Sequence, residues 1–263
     1  MPAERIAESL AFINWTVLAA VATGSFGAVV AARFLTEATR GYLAFTAFAA
    51  AAFGLLAVLA DTGLPSSQAS LAVPFDGAWD APRRAALIAL VAIAAAYGVR
   101  LAGGHRTPVL AVAGLVAGLL ALLFGALGWG GGGLASVALL LELVLLAAVL
   151  GGVWAAMVLG HWYLVTPRLP EAPLVRISRW LALGAGPAGT PAFAALFGPW
   201  ALFVWLRVLV GLVFPLIVSW AAVQTARTRS MESATGLLYI NVGTIAAGTI
   251  LAAGLYFGAG LLV

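Results

Sequence analysis

The chain has 263 residues, 64% hydrophobic and 8% charged, with 13 arginines, no lysine, no cysteine and a net charge of +4. A soluble domain carries about a quarter charged residues, so this composition excludes an aqueous fold and makes lipid the solvent. The arginines stand singly or in pairs, not in a stripe, which argues against a nucleic-acid partner and for charge used to orient a membrane protein. Without cysteine there are no disulfides, thiolate metal sites, iron–sulfur clusters or cysteine nucleophiles.

Residues 1–10 carry Glu4 and Glu8 against Arg5 and lack the basic start of a secretory signal. The apolar run 11–32 is too long for a signal core and reads as an anchor. Further runs lie near 42–60, 85–101, 108–128, 134–163, 200–223 and 234–261. Roughly twenty helical residues cross the hydrocarbon, which gives seven clear spans. Between the second and third lies the longest loop, 61–82, with Asp61, Pro65, Pro74, Asp76, Asp80 and an interfacial Trp79. Trp129 and the four glycines at 130–133 form a tight uncharged turn. Gly114/Gly118 and Gly254/Gly258 have the spacing of closely packed helices. The stretch 180–198 is apolar but interrupted by Gly184, Gly186, Pro187, Gly189 and Pro191, so it is expected as a short or broken span, the alternative being a surface loop. Residues 227–236 read as a turn entering the last span, with Ser230 or Ser233 as its cap.

The arginines arbitrate between seven and eight spans. With seven, the face holding the N-terminus carries Arg5, Arg83, Arg84, Arg227 and Arg229 against seven on the other face. With eight, the second face holds Arg33, Arg40, Arg100, Arg106, Arg168, Arg176, Arg179, Arg227 and Arg229 against Arg5, Arg83 and Arg84. Basic residues concentrate on the cytoplasmic side. The expected fold is therefore an all-α bundle of eight transmembrane helices forming one integral membrane domain, with both termini outside the cytoplasm. The Lys-free, Ala/Gly/Leu/Arg-rich composition is that of a GC-rich bacterial genome, so the membrane expected is a bacterial inner membrane.

Two ionisable residues fall inside spans. Glu142 lies about 12 Å in from the start of the fifth span, and Arg207 about 10 Å in from the start of the seventh, on the same face. A lone charge at such depth needs a partner or water. The expectation is a Glu142–Arg207 pair binding the two spans, with a proton path or an anionic headgroup as its functional version. Asn14, Thr16, Ser219, Asn241 and Thr244 are further polar positions suited to interhelical hydrogen bonds.

The two histidines supply a second candidate. His161 opens the run His161-Trp162-Tyr163-Leu164-Val165-Thr166-Pro167-Arg168 at the cytoplasmic end of the fifth span, and His105 follows Gly103 and Gly104 past the third. Paired imidazoles can ligate haem b, and His161 with Tyr163, Trp162 and Arg168 suits a quinone or lipid headgroup. An aromatic belt explains the same Trp and Tyr without a ligand. The glycine-flanked position of His105 weakens haem, because haem-bearing bundles present histidine from within helices. No metal cluster, phosphate loop or nucleophile motif is present in the sequence.

Gly160-His161-Trp162-Tyr163-Leu164-Val165 with Pro167, and Arg229-Ser230 followed by Ser233-Ala234-Thr235-Gly236, resemble segments of uncharacterised multi-pass proteins from bacterial genomes. The resemblance covers the last two-fifths of the chain and implies no activity. Three functions are expected to compete. The first is a membrane redox subunit with a quinone or haem site near His161. The second is a transporter using the Glu142/Arg207 level. The third is a structural or assembly subunit beside other subunits of a membrane complex.

Overall fold

Seven of the apolar runs form helices long and apolar enough to cross a bilayer. The structure is a computed structural model that describes residues 1–65, 71–105, 107–165, 195–228 and 230–263, without the side chains of 163–165 and 195–197. Among the described residues it is all helix and turn. A short α1 (Pro2–Glu8) precedes α2 (Leu10–Leu35), α3 (Arg40–Thr62), α4 (Asp80–Ala102), α5 (Pro108–Trp129) and α6 (Gly133–Val165). After the described chain resumes come α7 (Ala201–Val208), a π-helical turn (Leu209–Val213), α8 (Phe214–Arg227) and α9 (Met231–Ala259). The expected broken span at 180–198 lies almost wholly outside the described residues. Only its last residues are seen, in a 3-10 turn Ala195–Trp200 that enters α7.

Helix α2 is the centre of the bundle. Its apolar window is 67% buried, while no other span exceeds 44%. It packs on α3, α5, α6 and α9. At its crossing with α6, a Cβ on Gly24 would overlap the Ala147 carbonyl, and one on Gly151 would overlap the backbone of Gly24 and Ser25. Two backbones in direct contact replace the hydrophobic drive that lipid does not supply. The glycine pairs singled out by spacing do similar work: Gly114 and Gly118 seat Phe26 and Thr23 of α2, while Gly254 and Gly258 face Ile6 and Trp200.

The bundle has two dissimilar ends. At the aromatic end Phe12, Trp15, Trp129 and Phe257 interlock with ring centroids 4.8–5.5 Å apart. The loop before α4 is tied there by Ala72 N–H donating to the Phe257 carbonyl (3.0 Å) and Asp76 N–H to the Gly128 carbonyl (2.7 Å). The turn after α5 runs through left-handed Gly131, Gly132 and Gly133, three successive positive φ angles that only glycine adopts without strain. At the arginine end lie the close of α2, the start of α3 and the close of α4. Trp162 of α6 rests on Gly41 there, and Thr235 of α9 on Gly160. Thus α6 finishes at the arginine end, whereas Trp200, against Gly258, opens α7 at the aromatic end.

Candidate functional site in the membrane

Glu142 stands nine residues into α6, on the side facing α7 and α9. Its charge is within reach of Arg207 and of Tyr256. The expected ion pair does not form among the described residues. Instead, the buried Arg207 donates from Nε to a main-chain oxygen of Val263 (3.1 Å) and from Nη1 to the Gly211 carbonyl (3.2 Å). The Glu142 Oε2 atom is buried and has no hydrogen-bond partner. Tyr256 closes the aromatic-end side by donating its hydroxyl to the Trp129 carbonyl (2.8 Å). The two groups lie near each other without an ion pair or hydrogen bond between them.

The backbone beside Arg207 is irregular. The π-turn Leu209–Val213 frees the regular hydrogen-bond ladder where Gly211 offers its carbonyl to the guanidinium. Gly211 also abuts Gly248, where a Cβ on Gly211 would lie 2.6 Å from the Gly248 Cα. The π-turn and α9 therefore meet backbone to backbone at the level of the buried charge.

From that level towards the arginine end, further polar side chains are buried along α9. Thr249 donates to the Ile245 carbonyl (2.9 Å), and Asn241, wholly buried, donates to Ser219 of α8 (2.7 Å). Thr235, against Gly160 of α6, has its Oγ1 buried and unpartnered. At the start of α9 Ser230 takes the cap position, but its hydroxyl donates to Ser233 Oγ (3.0 Å) rather than capping the backbone.

Both histidines are placed at the arginine end, and both are exposed. Trp162 is half-buried between Gly41 and Phe45 (6.3 Å between ring centroids), so its ring serves the packing of α6 on α3. Tyr163 lies within α6 but its side chain is outside the described residues, as is Arg168 altogether. No cluster of three metal-ligating side chains occurs among the described residues.

One constellation escaped the sequence. Arg83 is only 1% exposed and lies at the aromatic end, its guanidinium 4.5 Å from the Trp129 ring and 5.6 Å from that of Trp15. Its Nε donates to Asp61 Oδ1 (2.6 Å) and its Nη1 to Asp80 Oδ1 (2.8 Å), while Arg84 holds the second oxygen of Asp61 (2.9 Å). The signal was present in outline. An acid closing one span and an arginine pair opening the next must meet once the intervening loop folds back. In the sequence alone these residues stand only as loop composition and topology markers.

No family model matches this chain, and no curated protein or solved structure is detectably similar to it.

Proposed function

We propose that this integral membrane protein exchanges protons across the bilayer, alone or coupled to a small solute, with Glu142 as the proton-carrying group. The observation that carries the reading is the buried Glu142 Oε2 without a hydrogen-bond partner, near an Arg207 that is held by main-chain oxygens instead. An ionisable residue at membrane depth is costly and by default functional. Protonated, Glu142 can give its proton to a passing water. Ionised, it is steadied by the charge of Arg207. The buried hydroxyls and amide of Thr249, Asn241, Ser219 and Thr235 support a route onward to the arginine end.

Eight crossings with the aromatic end outside the cytoplasm is the topology that suits this reading. It fits α6 finishing at the arginine end and α7 opening at the aromatic end. It also fits the charges: Arg33, Arg40, Arg100 and Arg227 face two acids, Glu37 and Glu232, at one end, while Arg5, Arg83 and Arg84 are outnumbered by acids at the other. Because the chain has no cysteine, single introduced thiols report sidedness cleanly. Thr62→Cys should label from outside intact cells with an impermeant maleimide, and Glu232→Cys should not; the reverse pattern would invert the topology.

The decisive experiment reconstitutes the protein in vesicles enclosing a pH-sensitive dye and imposes a proton gradient. Wild type should dissipate it faster than protein-free vesicles, and Glu142→Gln should fall to the protein-free rate. A Glu142→Gln protein as fast as wild type would refute the assignment. The redox reading, with quinone or haem b at His161, Tyr163, Trp162, His105 and Arg168, keeps one support: both histidines stand at the same end. A Soret band or extractable quinone in the purified protein would move the function there. With neither signal and no flux, a structural role within a larger membrane complex would stand.

A further inference from the structure

Three arginines stand at the arginine end on three different helices. Arg33 stands in the last turn of α2, Arg40 opens α3, and Arg100 lies in the last turn of α4. Their proximity follows from local contacts. Arg40 reaches across to the α4–α5 turn, its Nη1 and Cζ lying over Gly104, which is left-handed (φ 78°) and has no side chain in the way. Arg33 is close enough to Tyr97, one turn before Arg100, for its charge to act there. His105 follows directly, its N–H donating to the Arg100 carbonyl (2.9 Å).

Among the described residues none of these three arginines forms an ion pair or a side-chain hydrogen bond. The nearest acid in sequence, Glu37, is exposed and unpaired with any of them. This contrasts with the aromatic end, where Arg83 and Arg84 share Asp61. The carbonyls closing α2 and α4 favour Arg33 and Arg100 there, but a helix dipole does not neutralise three full charges. Around the patch the surface is apolar and exposed: Phe34, Leu35, Phe45, Val99 and Val109. Charge for an anion therefore adjoins surface suited to hydrocarbon chains.

We infer that Arg33, Arg40 and Arg100, with His105, form a binding site for the phosphate headgroup of an anionic phospholipid, whose acyl chains lie along the neighbouring apolar surface. Basic pockets between helices on the cytoplasmic side are suited to such lipids, and phosphate is the anion that arginine engages with paired N–H groups. The site is independent of Glu142 and does not rest on the proton-exchange reading.

The test uses the full chain purified in a zwitterionic detergent, titrated with cardiolipin, with phosphatidylcholine, or with inorganic phosphate, and followed by thermal unfolding and native mass spectrometry. Cardiolipin should raise the unfolding temperature and stay bound in the gas phase, while phosphatidylcholine and inorganic phosphate at equal phosphate concentration should do neither. The triple variant Arg33→Gln, Arg40→Gln, Arg100→Gln should weaken cardiolipin binding roughly 100-fold. If that variant does not fold, the exposed single change Arg40→Gln should weaken it about fivefold. Equal stabilisation by phosphatidylcholine, saturation by inorganic phosphate alone, or variants that bind as wild type would each overturn the assignment.

Discussion

Arg83 and Arg207 are both buried arginines in one bundle, and they are handled in opposite ways. Arg83 is enclosed by the carboxylates of Asp61 and Asp80 and two indole rings. Arg207, 8% exposed, is held by main-chain oxygens of Gly211 and Val263 and makes no hydrogen bond to the Glu142 carboxylate. The first arrangement cancels a charge and fixes the geometry around it. The second leaves the nearby acid without a hydrogen-bond partner on Oε2, which is what the proposed proton exchange needs. A buried ion pair resists the loss of one partner far more than its own presence stabilises the fold. The same residue type thus forms a carboxylate clasp at one level and a main-chain-held charge at another.

The largest effect should come from breaking the clasp. Asp61→Ala leaves Arg83 with Asp80 as its one carboxylate and Arg84 with none, and should cost about 3–5 kcal/mol in detergent unfolding. A cost under about 1 kcal/mol would mean that Arg83 finds other partners and the contrast with Arg207 disappears. Next, Arg207→Gln removes two hydrogen bonds to main-chain oxygens together with a poorly compensated charge. Its net cost should be about 1 kcal/mol, with proton flux nevertheless lost. Flux retained in that variant would detach Arg207 from the function of Glu142. The sharpest comparison is a pair of double-mutant cycles. Asp61→Asn with Arg83→Gln should show a coupling of about 2–3 kcal/mol, and Glu142→Gln with Arg207→Gln under about 1 kcal/mol. The smallest effect is expected from Asn241→Leu, about 0.6 kcal/mol, the usual size of an interhelical hydrogen bond in a membrane. If the polar side chains along α9 carry protons, that variant should slow flux much more than it lowers stability.

The apolar runs were legible because each span must satisfy its own backbone in lipid, which imposes length and composition on every helix. Helix positions such as Pro108–Trp129 and Arg40–Thr62 accordingly lie within two residues of the expected 108–128 and 42–60. The common depth of Glu142 and Arg207 was legible too, since rise per residue fixes it. Whether the pair bonds was not, because that depends on rotation. The π-turn at Leu209–Val213 re-phases the helix after Arg207, and no residue pattern announced it. The Arg83 clasp was legible only in outline. Asp61 closes one span and Arg83 and Arg84 open the next, but Trp15 and Trp129 come from two other helices and meet Arg83 only through the fold. His161 and Trp162 lie together with His105 at the arginine end, and the ring of Trp162 packs on Gly41.

The contact of Gly24 with Gly151 sets a delay in biosynthesis. Helix α2 carries Asn14, Thr16, Thr23 and Ser25 in its sequence, and the crossing that encloses its middle needs a helix made 127 positions later. At about 5–20 residues per second, α2 waits roughly 6–25 s for α6 to arrive. During that interval its small-residue face is open to lipid or to any other helix passing by. An assembly factor or insertase that shelters a freshly inserted, half-polar helix would act at this step. Slowing translation between α2 and α6 should lengthen its engagement in proportion.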